Sequence, residues 1–380
     1  MVKMETFQDY AQQYLEESEY EKALSTFRSE RSKVNNLLKT FGKLPIKQIP
    51  QSAVRGWKIK AHKRFKNKTI NEHFTILRSI FATALGDGVI AHSPMDGIEN
   101  LKIHSAEPLP FEREELIKLQ STDTDCASGK ALALLGILTG LRISELIALT
   151  WDCIDFELAE LQVNKAKVLG EYKVPKTSES IRTVELNQHA LALLKAHFEV
   201  TGKTRIRVIN VLQHDNKSLD KQRVRHVFIN TSTNKPFIDA KQYGKTFFTP
   251  FLTLAKVKHR GPNQLRHTFA SQCLTAGISI VWIANQMGHA STKMVEEHYA
   301  RWIKKDAPDH SGSFSKSLND VFNKFGKLTP GATVASHGSS IASWVIDAQP
   351  RKKSESVRRC VQSQKNSSFS SSRCAGRVNA

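Results

Sequence analysis

Four side chains in the stretch Gly261–Trp302, GPNQLRHTFASQCLTAGISIVWIANQMGHASTKMVEEHYARW, have the types and places to do chemistry: Arg266, His267, His289 and Tyr299. Leu265, Phe269 and Cys273, four apart, predict a helix over 264–276 that stops at Gly277. Ser279 caps a second helix through Trp282, Ile283 and Met287, closed by Gly288, and a third pattern runs from about Ser291 to Tyr299. Arg266 falls near a helix start and His289 directly after a helix-ending glycine, so both stand at ends, where side chains converge on a ligand. A second arginine, Arg142, lies in the apolar stretch TGLRISELIAL with Glu145 three residues on. A helix through both puts them on one face, so Glu145 can hold the guanidinium. A plain surface pair of this kind contributes only a few tenths of a kcal/mol, but the apolar flanks speak against it, since a buried arginine needs a partner. Two guanidinium forks suit the non-bridging oxygens of a phosphodiester, which gains a second negative charge as a nucleophile attacks.

The order L-R-H-T-F-A, G-H and a tyrosine ten positions beyond that histidine resembles the closing motif of the tyrosine recombinases, or phage integrases; TGLRISEL resembles their earlier arginine motif. The resemblance implies roles. Tyr299 would attack phosphorus to give a 3′-phosphotyrosine, Arg142, Arg266 and His289 would hold the charged oxygens, and a hairpin lysine would protonate the leaving 5′-oxygen. Lys176, in the turn PKTSES, is the matching lysine; Lys165, Lys167 and Lys173 are nearby rivals, and a solvated turn lysine is the plain alternative. No cofactor is implied, neither ATP nor metal, because the tyrosyl bond keeps the phosphodiester energy. The sequence holds no G-x-x-x-x-G-K-[ST] or H-E-x-x-H. One position departs from the family pattern: where a histidine usually precedes the second arginine by three residues, this chain has Asn263. A phenol with pKa near ~10 needs help to ionise, which leaves the proton path open. His267 is one helical step from Arg266 and so expected to face about 100° away, in packing with Thr268 and Phe269; His259 is another candidate, and His298 is expected to be solvated.

Composition agrees with such a partner. The 380 residues carry a formal charge of +20, which favours an acidic partner such as nucleic acid. The five cysteines are odd in number and scattered, as expected of reduced thiols. The longest apolar run, Ala131–Leu141, is too short to span a bilayer, and no export leader is evident, so the expected location is cytoplasmic, near the nucleoid of a bacterial host.

The elements that must position these groups predict a mainly α fold with a small antiparallel β-sheet (α+β). Residues 1–104 read as a helical core-type DNA-binding domain, with amphipathic helices over Thr6–Tyr20, Leu24–Gly42 and Ile70–Leu85. Within it, Arg55, Lys58, Lys60, Lys63, Arg64, Lys66 and Lys68 have no acidic residue among them, with Trp57 and Phe65 interleaved. Such a run suits phosphate contact and counterion release; the alternative is a surface helix whose acidic partners lie elsewhere. Residues 105–308 read as the catalytic domain: a linker HSAEPLP, helices over Glu112–Leu119 and Ala131–Leu138, and three short strands between Leu161 and Leu186 turning at Gly170 and PKTSES. A helix capped by Asn187 follows, then two strand-like pieces in 203–230 without an assigned role, then a helix over 240–257. Residues 309–380 read as a basic, serine-rich, disordered tail, with eight Lys or Arg against Glu355 in the last thirty positions.

The expected function is site-specific recombination for a prophage or other mobile element, by a homotetramer on double-stranded DNA with DNA-bending accessory proteins as further partners. The alternatives are an inactive DNA-binding protein on the same scaffold, or a type IB topoisomerase with the same chemistry and no exchange of partners.

Overall fold

In the computed structural model the described residues all fall within one unit. The structure describes residues 6–103, 107–175 and 180–297; the expected tail and the boundary at 308 lie outside them. Thr6 begins the first helix, α1 (Phe7–Glu21), with a reciprocal cap: Asp9 N donates to its Oγ1 at 3.3 Å, and its own N donates to Asp9 Oδ2 at 2.9 Å. Three more helices follow, α2 (Leu24–Phe41), α3 (Gln51–His62) and α4 (Asn67–Gly86). Their inward residues recur at helical spacing, as in Ile70, Phe74, Leu77, Phe81 and Ala84 of α4. Phe7 packs on Phe41 and Phe81 at centroid distances of 5.5 and 5.9 Å, all three fully buried. Each such ring contributes about 1.5–3 kcal/mol by burial.

A separate apolar core begins at Phe111. It is built by α5 (Arg113–Ser121), α6 (Ala127–Thr139), α7 (Ile143–Ala148), α8 (Gln188–Thr201), α9 (Ala240–Tyr243), α10 (Thr249–Leu254) and α11 (Gln264–Thr275). Helix α6 is apolar on nearly every side and therefore central, with α8 and α11 against it. Asn187 caps α8 as expected, its side chain accepting from the amides of His189 and Ala190. The expected helix over 240–257 is instead interrupted by a π-helical turn, Gly244–Phe248, and ends at Leu254. The last helices are α12 (Ile280–Met287) and a helical turn at 293–297; they enclose a smaller cluster with Phe269, Leu274 and Val295.

The strands correct the sequence reading. The region expected to hold three contains β2 (Glu160–Val163), β3 (Ala166–Val168), β4 (Glu171–Lys173) and β5 (Arg182–Glu185), preceded by β1 (Ile154–Asp155). They belong to two sheets. One is antiparallel, β1-β2-β5; the other is β3-β4-β6-β7, in which β4 and β6 (Arg207–Leu212) run parallel while β6 and β7 (Leu219–Val224) form a hairpin. A short pair, β8 (Ile229–Asn230) and β9 (Lys235–Pro236), completes the set. Alternation in sequence fixes which side chains turn inward but not which sheet receives them, so the crossing after Val163 leaves no mark in the pattern.

Candidate active site

Helix α6 ends at Gly140, whose φ of +68° turns the chain sharply before α7. A Cβ there would run into the Phe269 ring, so the position demands glycine for both conformation and space. The turn aims the Gly140 carbonyl at Arg266, whose Nη1 donates to it at 2.6 Å. Arg266 sits on the first turn of α11 and is only 6% exposed. Its Nη2 lies 2.6 Å from His289 Nε2. His289 follows Gly288, which closes α12 in the left-handed region at φ +66°.

Arg142 was expected within a helix. It stands instead at the N-cap of α7, in extended conformation. From there its backbone N–H donates to Glu145 Oε2 at 2.9 Å and its Nη1 to Glu145 Oε1 at 2.8 Å, while Nη2 reaches the Gly288 carbonyl at 3.3 Å. Glu145 is 4% exposed and meets a second guanidinium, Arg182 of β5, at 3.0 Å. Burial alone would raise its carboxyl pKa; Arg182 and then Arg142 outweigh that and hold it below the ordinary value. Arg182 escaped the sequence reading because it looked like one alternating residue of a strand. The only signal available was a charge at the start of an otherwise apolar alternation.

Arg142, Arg266 and His289 line one cavity of about 670 Å³, together with Asn263, His267, Lys241 and Met294. His267 thus corrects an expectation: it borders the same space as both arginines, and its Nε2 lies 3.4 Å from Asn263 Nδ2. Side chains about 100° apart on one helix can both border a cavity that extends around the helix start. Lys176, Tyr299 and His298 lie outside the described residues. None of the rival lysines lines the cavity. Lys165 and Lys167 are buried, the first just before β3 and the second on it; Lys167 Nζ donates to the Phe237 carbonyl at 2.9 Å, and burial lowers its pKa to about 8. Lys173 borders a different cavity, with Lys22 and His214. His259 is exposed and 3.2 Å from Thr249 Oγ1.

In the first helical region, Arg55, Lys60, Lys63, Arg64, Lys66 and Lys68 are exposed and Lys58 half-buried, along α3 and into the start of α4. Trp57 is not interleaved with them at the surface. It is 6% exposed and packs on His73 and Phe74. Phe65 is half-buried against His73, with the Arg64 guanidinium 5.5 Å from its ring centre. Among the described residues no helix is long and apolar enough to cross a membrane, and Cys126, Cys153 and Cys273 are unpaired thiols.

Comparison with known proteins places this geometry. The sequence pattern of the phage integrase family matches residues 109–305, and that of the phage integrase SAM-like domain matches residues 6–103. Prophage integrase IntR of Escherichia coli (strain K12) is 31% identical over 240 residues, covering 62% of this chain and 58% of that protein. Among solved structures, Tn1549 transposon integrase in complex with a circular intermediate DNA superposes with a TM-score of 0.65 at 20% identity, covering 84% of this chain and 100% of that one. Lambda integrase, as a tetramer bound to a Holliday junction, superposes at 0.60 and 15% identity, covering 77% of each chain.

Proposed function

The chain belongs to the phage integrase family of tyrosine recombinases, and from that premise we propose that it is a site-specific DNA recombinase working through a covalent 3′-phosphotyrosyl intermediate. The observation that carries this reading is the convergence of Arg142, Arg266 and His289 on one cavity, each arginine oriented by buried acceptors. A non-bridging oxygen placed there meets two preorganised guanidiniums beside an imidazole, and removing one such guanidinium donor typically costs about a hundred- to a thousandfold in rate. Tyr299 is the nucleophile. Its oxygen bonds to phosphorus, the bond to the 5′-oxygen breaks, and Lys176 gives that oxygen its proton. A 5′-hydroxyl of another strand reverses the step on a new partner. His267, bordering the cavity beside Asn263, is the imidazole that would take the phenol proton in place of the histidine this chain lacks.

Residues 1–104 and 105–308 act as a core-binding and a catalytic domain, a division supported by their separate apolar cores and the exposed basic run on α3. The partner is double-stranded DNA, engaged by a tetramer as in the lambda integrase structure, and the setting a prophage or mobile element like that of IntR.

The test is a nicked suicide duplex carrying the attachment site. The full chain should trap a protease-sensitive covalent adduct that disappears in Tyr299→Phe while gel-shift binding persists. An adduct formed by Tyr299→Phe overturns the nucleophile; no adduct from the unaltered chain, with binding intact, means an inactive DNA-binding protein. Relaxation of a supercoiled plasmid lacking any site would point to a topoisomerase.

A further inference from the structure

Glu145 is shared between two arginines of unlike exposure. Arg142, 37% exposed, borders the cavity; Arg182, 7% exposed, does not line it. Arg142 uses Nη1 on Oε1 and its backbone N–H on Oε2, while Arg182 reaches both oxygens, Nη2 on Oε2 at 3.0 Å and Nη1 on Oε1 at 3.4 Å. Arg182 is held from other directions as well: its Nε donates to the Gln286 carbonyl at 2.8 Å and its Nη1 to the Ser180 carbonyl at 3.2 Å. It also packs so closely under Gly288 that a Cβ on that residue would lie 2.8 Å from Arg182 Nη1.

We propose that Arg182 is a positioning residue for the strand-cleavage step: by gripping both oxygens of Glu145 it limits the Arg142 side chain to a one-armed pairing and keeps the other arm of that guanidinium, which reaches the Gly288 carbonyl at 3.3 Å, available to the scissile phosphate. The inference rests on the recombinase reading above. Its physical basis is that a carboxylate oxygen accepts from two donors, so with Arg182 gone Oε2 keeps the Arg142 amide and still has room for Nη2, and a two-pronged grip is stronger than a single bond. Without Arg182, Arg142 turns its fork onto Glu145 and away from the cavity. Charge acts in the same direction. Two guanidiniums and one carboxylate leave the group with one net positive charge beside the phosphate; the Arg142–Glu145 pair alone is neutral. Arg182 also ties β5 to the end of α12, three residues from His289, so one side chain fixes the carboxylate behind Arg142 and the backbone that leads to the imidazole.

Single-turnover cleavage of the nicked duplex, gel-shift binding and thermal melting of the full chain test this together. Arg182→Met should slow adduct formation by about a hundredfold or more with DNA binding unchanged, and Arg182→Lys should fall between it and the unaltered chain. Adding Glu145→Gln to Arg182→Met should raise the rate again, because a neutral amide no longer captures Arg142. A merely structural role gives the reverse: the double variant is slower than either single one, in step with its melting temperature. Arg182→Met cleaving at the unaltered rate overturns the proposal while leaving the recombinase reading intact. A crystal structure of Arg182→Met decides independently of activity, even if the unaltered chain forms no adduct. Arg142 contacting both Glu145 oxygens through its side chain upholds the proposal, and an unchanged one-armed contact ends it.

Discussion

Arg266 Nη2 stands 2.6 Å from His289 Nε2, and because a guanidinium only donates, the imidazole nitrogen accepts. The other arm of the same fork donates to the carbonyl of Gly140. One side chain thus joins the end of α6 to the loop after α12, and its plane is set before any phosphate arrives. Lysine keeps the charge but presents one point rather than two arms. Arg266→Lys should lower the rate of covalent adduct formation by about a hundred- to a thousandfold and leave gel-shift affinity nearly unchanged. Parallel loss of both would mean the arginine serves binding rather than the cleavage step.

The Gly140 carbonyl can take that role only while its own residue stays left-handed beside the Phe269 ring. Gly140→Ala pays twice, about 1–2 kcal/mol for the backbone and about 1–3 kcal/mol for forcing a methyl against the ring. Denaturant unfolding should show a loss of roughly 2–5 kcal/mol, and adduct formation should drop further than the lost stability accounts for, since the acceptor that aims Arg266 moves. Unfolding at the unaltered midpoint would show that the ring gives way freely.

Much of this site could be read from local pattern, and the rest depends on long-range geometry. Arg266 and His289 were identifiable because short motifs fix them to helix ends, and Gly288 marked one of those ends correctly; Arg142 was identifiable from its motif but was expected inside the helix that it caps. Arg182 was not, since its partner Glu145 lies 37 positions earlier and nothing local in β5 announces a buried carboxylate. The same limit explains Trp57. Its neighbours suggested a DNA-facing surface, but the alternation of α3 turns Val54, Trp57 and Ala61 inward together. His267 shows a third kind of limit, because the angle between neighbours on a helix does not say how far a cavity extends around it.

Three buried imidazoles, His73, His197 and His226, have their pKa lowered by burial, and the last two move furthest. His197 contacts Ser128 Oγ and the Val227 carbonyl, and burial lowers its pKa to about 4. His226 sits 2.6 Å from the Tyr172 hydroxyl; burial first, then the positive charges of Lys167, Arg207 and Lys165, also bring it to about 4. Between pH 6.5 and 4 the unfolded chain therefore binds more protons than the folded one, so stability rises with pH across that window and falls on acidification. His197 and His226 each contribute on the order of 3 kcal/mol at full extent. Glu145, with its pKa lowered, adds a loss of its own only as pH falls below the ordinary 4.5. Urea unfolding from pH 7 to 4.5 should show the decline, and His197→Gln should flatten it; an equal slope in that variant would locate the protons elsewhere.

The basic run separates into charges that face solvent and a ring that does not. Lys63, Arg64 and Lys66 are exposed where α3 gives way to α4, so each can neutralise a phosphate and release its counterion. Replacing any one by alanine should weaken DNA binding about equally for site and non-site duplexes and reduce the slope of log affinity against log salt by about 1. Trp57→Ala should behave differently, losing about 3–5 kcal/mol of stability from a buried ring before any effect on the slope. Salt slopes unchanged after removal of all three charges would move the DNA to another face of the helical region.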